Sequence, residues 1–240
     1  MASEVTPVKN DEVEPVIELV IRPPTADEEY DRVASYLRKL PWYNENGYKL
    51  PLPTHPAFQQ LAQPGADLAV LDLEETRRLF AQEVYDPTAY EARLRAVEAD
   101  RFVIEEAYLR FRELNKRWGV KVFPRYEITL TQFGAGGSYD SEKGRVIILT
   151  SSRHSPKRIA IHEGVHIGIE DGIVQKYGLS HWEKERTVDK ICSIRFGDLL
   201  PNYDFQARGD IRIDPYVTSE TIRQLPQAME RYVKDFPRTQ

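Results

Sequence analysis

"IHEGVHIGIE", residues 161–170, decides how the rest of the chain is read. Its middle five residues, His162-Glu163-Gly164-Val165-His166, fit the pattern H-E-x-x-H. Residues four apart lie on one face of an α-helix, so His162 and His166 can offer ring nitrogens to a single ion. Glu163 stands about 100° further round, where its carboxylate can reach a water on that ion as general base. Zinc takes imidazole nitrogen at about 2.0–2.1 Å, and a catalytic zinc keeps one position beyond its three protein ligands. A five-residue pattern is short: at average composition it arises by chance in on the order of one per cent of such sequences. The flanks add weight, because Ile159, Ile161, Val165, Ile167 and Ile169 predict a substantially buried helix. Two imidazoles and a carboxylate in such a helix need partners, and one metal ion supplies them together. A hydrogen-bonded polar cluster is the plainer alternative.

A third ligand has to come from downstream. The continuation H-E-x-x-H-x-x-G-x-x-H would require glycine at 169 and histidine at 172, and the chain has Ile169 and Gly172. The next polar stretch, "SHWEKERTVDKICSIRFG" (180–197), offers His181, Glu183 and Glu185. Ser180 and Glu183 fit an S-x-x-E capping box, which would start a second helix and occupy Glu183 at its N-terminus. Glu185 is then the better ligand. Asp189, four residues on and on the same face, could accept a hydrogen bond from a ligand histidine.

Glu185 to Asp189 thus reads E-x-x-x-D, and here the chain resembles the gluzincins, the thermolysin-like zinc metallopeptidases. In that family H-E-x-x-H is followed about twenty residues later by a glutamate ligand in E-x-x-x-D. The match spans 162–189, with looser similarity back through two predicted strands. The resemblance implies that His162, His166 and Glu185 bind Zn2+, that Glu163 activates water, and that Asp189 orients His162. It implies a peptide or protein substrate. "RVIILTSSRHSPKRIAIHEGVH" also resembles the strand-to-motif-helix segment of the ImmA/IrrE-like proteins, which cleave or regulate repressor partners. No helix-turn-helix is recognisable to favour that class. A non-catalytic zinc-binding interaction module is the remaining reading, and Glu163 would be superfluous in it.

Around the motif, "VIELVIRP" (16–23) predicts a strand stopped by Pro23-Pro24, and Thr25 to Glu28 forms a capping box opening a helix that ends at Leu40-Pro41. Residues 41–58, rich in Pro, Asn and aromatics, read as ordered but irregular. From about 66 to 118 the pattern is helical, with Asp86-Pro87 as a start and Gly119 as a stop. "YEITLTQF" (126–133) and "GRVIILT" (144–150) read as strands, and Ser155-Pro156 opens the motif helix. Gly136 to Tyr139, between the strands, are candidates for an edge that pairs with extended peptide, with a plain hairpin loop equally compatible. If the motif helix and the glutamate helix run antiparallel, the ligands come level only if the first breaks or kinks around Asp171-Gly172. Gly164, Gly168 and Gly172 recur every four residues and predict close packing, for which a neighbouring strand is the simplest partner. His181, Tyr203 and Tyr216 are candidate donors to a developing oxyanion, and no motif selects among them. Cys192 is expected in the core and His154 on a surface loop.

The expected architecture is α+β and zincin-like, a helical N-terminal layer plus a small β-sheet packed on an active-site helix and a glutamate helix. Residues 1–13 are expected to be disordered and 14–240 to form one metallohydrolase domain. Within it, 14–119 would be mostly helical and 120–240 the catalytic core. The 240 residues are 41% hydrophobic and 30% charged, with a net charge of -5, which gives no global attraction to nucleic acid or anionic membrane. A single cysteine excludes an intramolecular disulfide and a thiolate-built zinc site. The start of the chain lacks the charged and apolar regions of a secretory signal, and no apolar run reaches membrane-spanning length. These features point to a cytoplasmic protein.

Overall fold

Three of the four strands are built from runs rich in β-branched residues, and two of the helices open at the capping boxes visible in the sequence. The computed structural model describes residues 17–237, so the 1–13 segment lies outside the described residues. β1 (Glu18–Arg22) stops one residue before the Pro23-Pro24 pair. Thr25 then caps α1 (Ala26–Glu45), accepting from the Glu28 amide while the Glu28 carboxylate returns to the Thr25 amide. After α1 come α2 (Pro56–Leu61), α3 (Glu74–Glu83), α4 (Glu91–Ala99) and α5 (Arg101–Trp118), which ends at Gly119 with φ +65°. β2 (Arg125–Thr131), β3 (Gly137–Asp140) and β4 (Arg145–Leu149) follow. The C-terminal half carries α6 (Pro156–Ile169), α7 (His181–Arg195) and α8 (Leu225–Asp235). The described residues are thus a mixed α+β structure of eight α-helices and one four-stranded sheet. None of their helices is long and apolar enough to cross a membrane.

The strand order is β1-β2-β4-β3, with β1, β2 and β4 parallel and β3 antiparallel to β4 on the edge. Helix α6 lies against this sheet. Ile159, Ala160 and Ile167 pack with Ile128, Leu130, Val146 and Ile148 from the strands. Its other apolar side chains, Ile161, Val165 and Ile169, belong to a second cluster with Phe111 and Leu114 of α5, Val188 and Ile191 of α7, and Met229 and Tyr232 of α8. A helix buried on every side needs apolar residues all round, which is why its isoleucines follow no single stripe. Each such side chain contributes about 1.5–3 kcal/mol by leaving water. A third cluster joins Tyr30, Val33 and Leu37 of α1 to Phe58, Leu71, Phe80 and Phe133. The buried Glu29 carboxylate ties this layer to the sheet, accepting from Gln132 N (2.7 Å), Tyr90 OH (3.0 Å) and Thr131 Oγ1 (3.1 Å).

Four sequence expectations need correction here. Helix α1 does not stop at Leu40-Pro41 but runs to Glu45, and residues 56–58 of the segment expected to be irregular belong to helix α2. Proline inside a helix forfeits one backbone hydrogen bond, and here the following turn is held by ring packing. Tyr43 lies 5.2 Å from Tyr36, and Trp42 stacks 6.0 Å from Tyr48. Helix α6 does not break at Asp171-Gly172 either: it passes directly into a π-helical stretch, Glu170–Gln175, and winding ends at Gly178, φ +57°. The widening falls where Gly172 passes the Gly119 carbonyl, 2.9 Å from where a Cβ would stand. Finally, the glycine line faces helix α5 and not a strand. A Cβ on Gly164 would meet the Tyr108 ring at 2.4 Å, and one on Gly168 the Phe111 ring at 2.0 Å.

Candidate metal centre

His162 and His166 are presented by α6 as their spacing requires, four residues apart and both buried. The helix starts at Ser155-Pro156, but Ser155 makes no side-chain cap bond. The Lys157 amide is instead taken by Asp100 Oδ2, 3.1 Å away, so the turn between α4 and α5 holds the start of the motif helix. Glu185 arrives on the first turn-and-a-half of α7, whose Ser180/Glu183 capping box is formed on both sides. Glu183 is thereby used as the spacing indicates, and it also accepts from Tyr232 OH.

The three side chains converge on one point. His162 Nε2 and His166 Nε2 are 3.1 Å apart, and Glu185 Oε2 lies 3.3 Å from His166 Nε2 and 3.4 Å from His162 Nε2. All three residues are buried, and together they form a group that could hold a metal ion. The charge states of His166 and Glu185 suit this. For His162 burial lowers the pKa, but contacts with Cys192, Glu185 and Glu163 hold it well above the ordinary imidazole value, so a metal there displaces a proton. Burial lowers the His166 pKa to about 4, which leaves the imidazole neutral with a lone pair to give. Burial would raise the Glu185 carboxyl, but the two neighbouring imidazoles hold it far below the usual carboxylate range.

A supporting set of contacts fixes the rings. His162 Nδ1 is 2.6 Å from Tyr203 OH, which itself donates to Asp189 Oδ1 at 2.8 Å. Asp189 Oδ1 is 3.7 Å from His162 Nδ1, so the aspartate reaches the histidine chiefly through the tyrosine hydroxyl. The aspartate therefore stands beside His162 as expected, but with an intermediary that the sequence did not specify. His166 is held differently: Tyr139 of β3 stacks on its ring at 4.9 Å and 6°. The Tyr139 hydroxyl donates to Glu170 (2.7 Å) and accepts from Lys184 (2.9 Å). Cys192 is buried in the core beneath the site.

Glu163 faces the cleft, and among the described residues its carboxylate makes no hydrogen bond. Burial pushes its pKa up to about 7; the His162 charge pulls it down, Glu185 raises it and Lys184 lowers it. Gly137 on the edge strand makes this position available, since a Cβ there would lie 2.4 Å from Glu163 Oε1 and 2.7 Å from Ile159 Cγ2. The cleft has a volume of about 550 Å³. It is lined by residues of β3, by Trp42 and Tyr43 of α1 with Tyr48 just beyond its end, and by the segment 204–206.

Of the three candidate oxyanion donors, His181 lines this cleft, its Nε2 2.9 Å from Tyr48 OH. Tyr203 is committed to His162 and Asp189, and Tyr216 to Asp235 (2.6 Å) outside the cleft. His154 is exposed, on the loop before α6 at the cleft margin. Sequence reading did not single out Gln206. Its amide nitrogen of the backbone donates to Asp189 Oδ2 (2.7 Å), and its side-chain Nε2 lies 2.5 Å from Glu185 Oε2 and 3.3 Å from His162 Nε2. No motif marks it, because it reaches the site from an irregular segment 21 residues after Glu185. Comparison with protein-family models, curated proteins and solved structures finds no match for this chain.

Proposed function

We propose that this chain is a zinc-dependent metallopeptidase of gluzincin type. The observation that carries the reading is the spacing of the three ligand atoms. Ligands bonded to zinc at about 2.0–2.1 Å in a tetrahedron are separated by roughly 3.3–3.4 Å, by simple trigonometry. The separations here are 3.1, 3.3 and 3.4 Å. Two imidazoles with a carboxylate are a donor set suited to zinc in hydrolytic sites.

A zinc ion bound there supplies Lewis acidity toward a scissile carbonyl and lowers the pKa of a bound water. The chain's own residues supply the rest. Glu163, unencumbered and facing the cleft, takes the proton from the attacking water and passes it to the departing amine. The outer edge of β3 offers unpaired backbone groups to an extended peptide, and Gly137 lets that peptide run close to Glu163. His181 and Tyr48 line the same cleft and are the groups available as donors to the developing oxyanion.

The test begins with elemental analysis of wild type and Glu185→Ala, purified without added metal. About one zinc per wild-type chain, clearly reduced in the variant, is the expected result. A peptide library then tests hydrolysis, with Glu163→Gln expected to keep its zinc and lose on the order of 10²–10⁴-fold in rate. Zinc-loaded wild type that cleaves nothing across a broad library would overturn the peptidase reading and leave a binding module.

A further inference from the structure

We propose that Gln206 is a fourth, displaceable metal ligand, so that the resting centre is closed by the protein itself. The inference rests on the metal reading above and concerns what stands at the position a water or substrate would take. The Gln206 side-chain amide abuts the ligand triangle along its His162–Glu185 edge, 3.3 Å from His162 Nε2 and 2.5 Å from Glu185 Oε2. The 3.3 Å separation is that of neighbouring ligands on one small ion, and the 2.5 Å one is a short hydrogen bond that lengthens when the amide joins the metal's shell. With both partner atoms as acceptors, the amide presents its NH2 group. Once a metal takes those two lone pairs, an NH2 in that place has no acceptor and faces a cation. A half-turn about the Cγ–Cδ bond replaces it with Oε1, and amide oxygen is a competent ligand for a divalent ion.

The segment leading to Gln206 is held at each residue from Tyr203 to Gln206. The Gln206 amide N–H is bound by Asp189, and Tyr203, three residues earlier, is bound to Asp189 as well. Arg158 donates to the Asp204 carbonyl at 2.5 Å, and the Arg186 guanidinium lies 4.5 Å over the Phe205 ring. Arg186 is anchored in turn by a two-pronged pair with Asp214, at 2.5 and 2.6 Å. The backbone at 206 is therefore fixed, while the side chain reaches in from a cleft wall and can swing out into the cleft. Such a ligand makes the centre latent. Metal is retained by four protein groups, and access for a substrate carbonyl requires Gln206 to leave.

Cobalt(II), whose visible absorption reports ligand number, is the probe, with acetohydroxamate as a small competitor for the open position. Full-length wild type, Gln206→Ala and Gln206→Glu are each loaded with cobalt and titrated. If Gln206 occupies the metal about nine-tenths of the time, Gln206→Ala binds acetohydroxamate about ten-fold more tightly than wild type. Its visible spectrum before titration also differs from wild type, because the amide ligand is gone. Gln206→Glu, with a charged oxygen of the same reach, holds cobalt more tightly and binds the competitor more weakly than wild type. Identical spectra and equal acetohydroxamate affinities in wild type and Gln206→Ala overturn the assignment while leaving the three-ligand centre intact. Failure of wild type to bind either cobalt or zinc overturns the metal reading and this inference together.

Discussion

Tyr203 shows how a single hydroxyl can link two elements at the candidate centre. It lies 2.6 Å from His162 Nδ1 and donates to Asp189, so it transmits the orienting effect of a carboxylate that is itself 3.7 Å from the ring. Partners of this kind set the tautomer of a ligating histidine, and their loss typically costs 10–100-fold in metal affinity. Tyr203→Phe is therefore predicted to weaken zinc binding by about that factor, measured by competition with a chromophoric chelator. An unchanged affinity would mean that Asp189 alone holds the ring. The local part of this site is legible in the sequence: H-E-x-x-H, the Ser180/Glu183 capping box and E-x-x-x-D all depend on helical spacing, which is fixed by backbone geometry. Tyr203 is legible only as one of three candidate oxyanion donors and Gln206 not at all, because they come from an irregular stretch whose course is set by Arg158 and Arg186 contacts made only after folding. Tyr139 was legible as part of an edge and not as the ring that stacks on His166.

At the scale of elements, α6 is held by glycines that admit α5. Gly164 and Gly168 let the Tyr108 and Phe111 rings lie directly on the helix backbone, and the Tyr108 hydroxyl donates to the Ala160 carbonyl at 2.8 Å. Adding a methyl group at 168 drives it into the Phe111 ring, where overpacking costs about 1–3 kcal/mol against a gain of about 1 kcal/mol in helix propensity. Gly168→Ala should thus lower the urea midpoint with little change in slope, and a midpoint equal to or above wild type would contradict the packing argument. The periodicity of these glycines announced a close contact without saying what made it, since a strand and a helix can both approach a bare backbone. The same limit applies to Pro41 and to Gly172. Local rules stop a helix at the first and break it near the second, but aromatic packing carries α1 through to Glu45 and a π-helical stretch carries the motif helix on.

Over the whole molecule, a charged cluster links the start of α1 to the sheet. Arg22 of β1 donates to both Glu28 oxygens at 2.6 Å, and Arg145 of β4 lies 3.4 Å from Glu28 and 3.0 Å from Glu127. The Arg22 hydrogen bond is the main cause holding the Glu28 pKa at about 2, against burial, which opposes it. A carboxyl whose folded pKa lies below its unfolded value stabilises the fold above the unfolded value, and that contribution fades as pH falls. Stability is predicted to drop between pH 4.5 and 2, the unfolded and folded values, and to drop less in Glu28→Gln, as read from urea midpoints across that window. Equal acid sensitivity in the two proteins would remove Glu28 from the account. Zinc should act on the whole fold as well, because His162 and His166 on α6 and Glu185 on α7 come together only when the two helices are docked. At a hundred times its dissociation constant, a ligand bound only by the folded state adds about 2.7 kcal/mol, so zinc should raise the melting temperature of wild type and not of Glu185→Ala.

The parallel pairing of β1 with β2 has a consequence in time. Glu18 lies opposite Arg125, so the first strand has no partner until more than a hundred further residues have been made. At synthesis rates of about 5–20 residues per second, that interval is on the order of ten seconds. Throughout it, an apolar β-strand sits on the ribosome-bound chain beside helices that can already form. Slow translation between residues 22 and 125 would lengthen this exposure, and a nascent-chain chaperone that shields the "ELVIR" segment would be rewarded with a higher yield of finished protein.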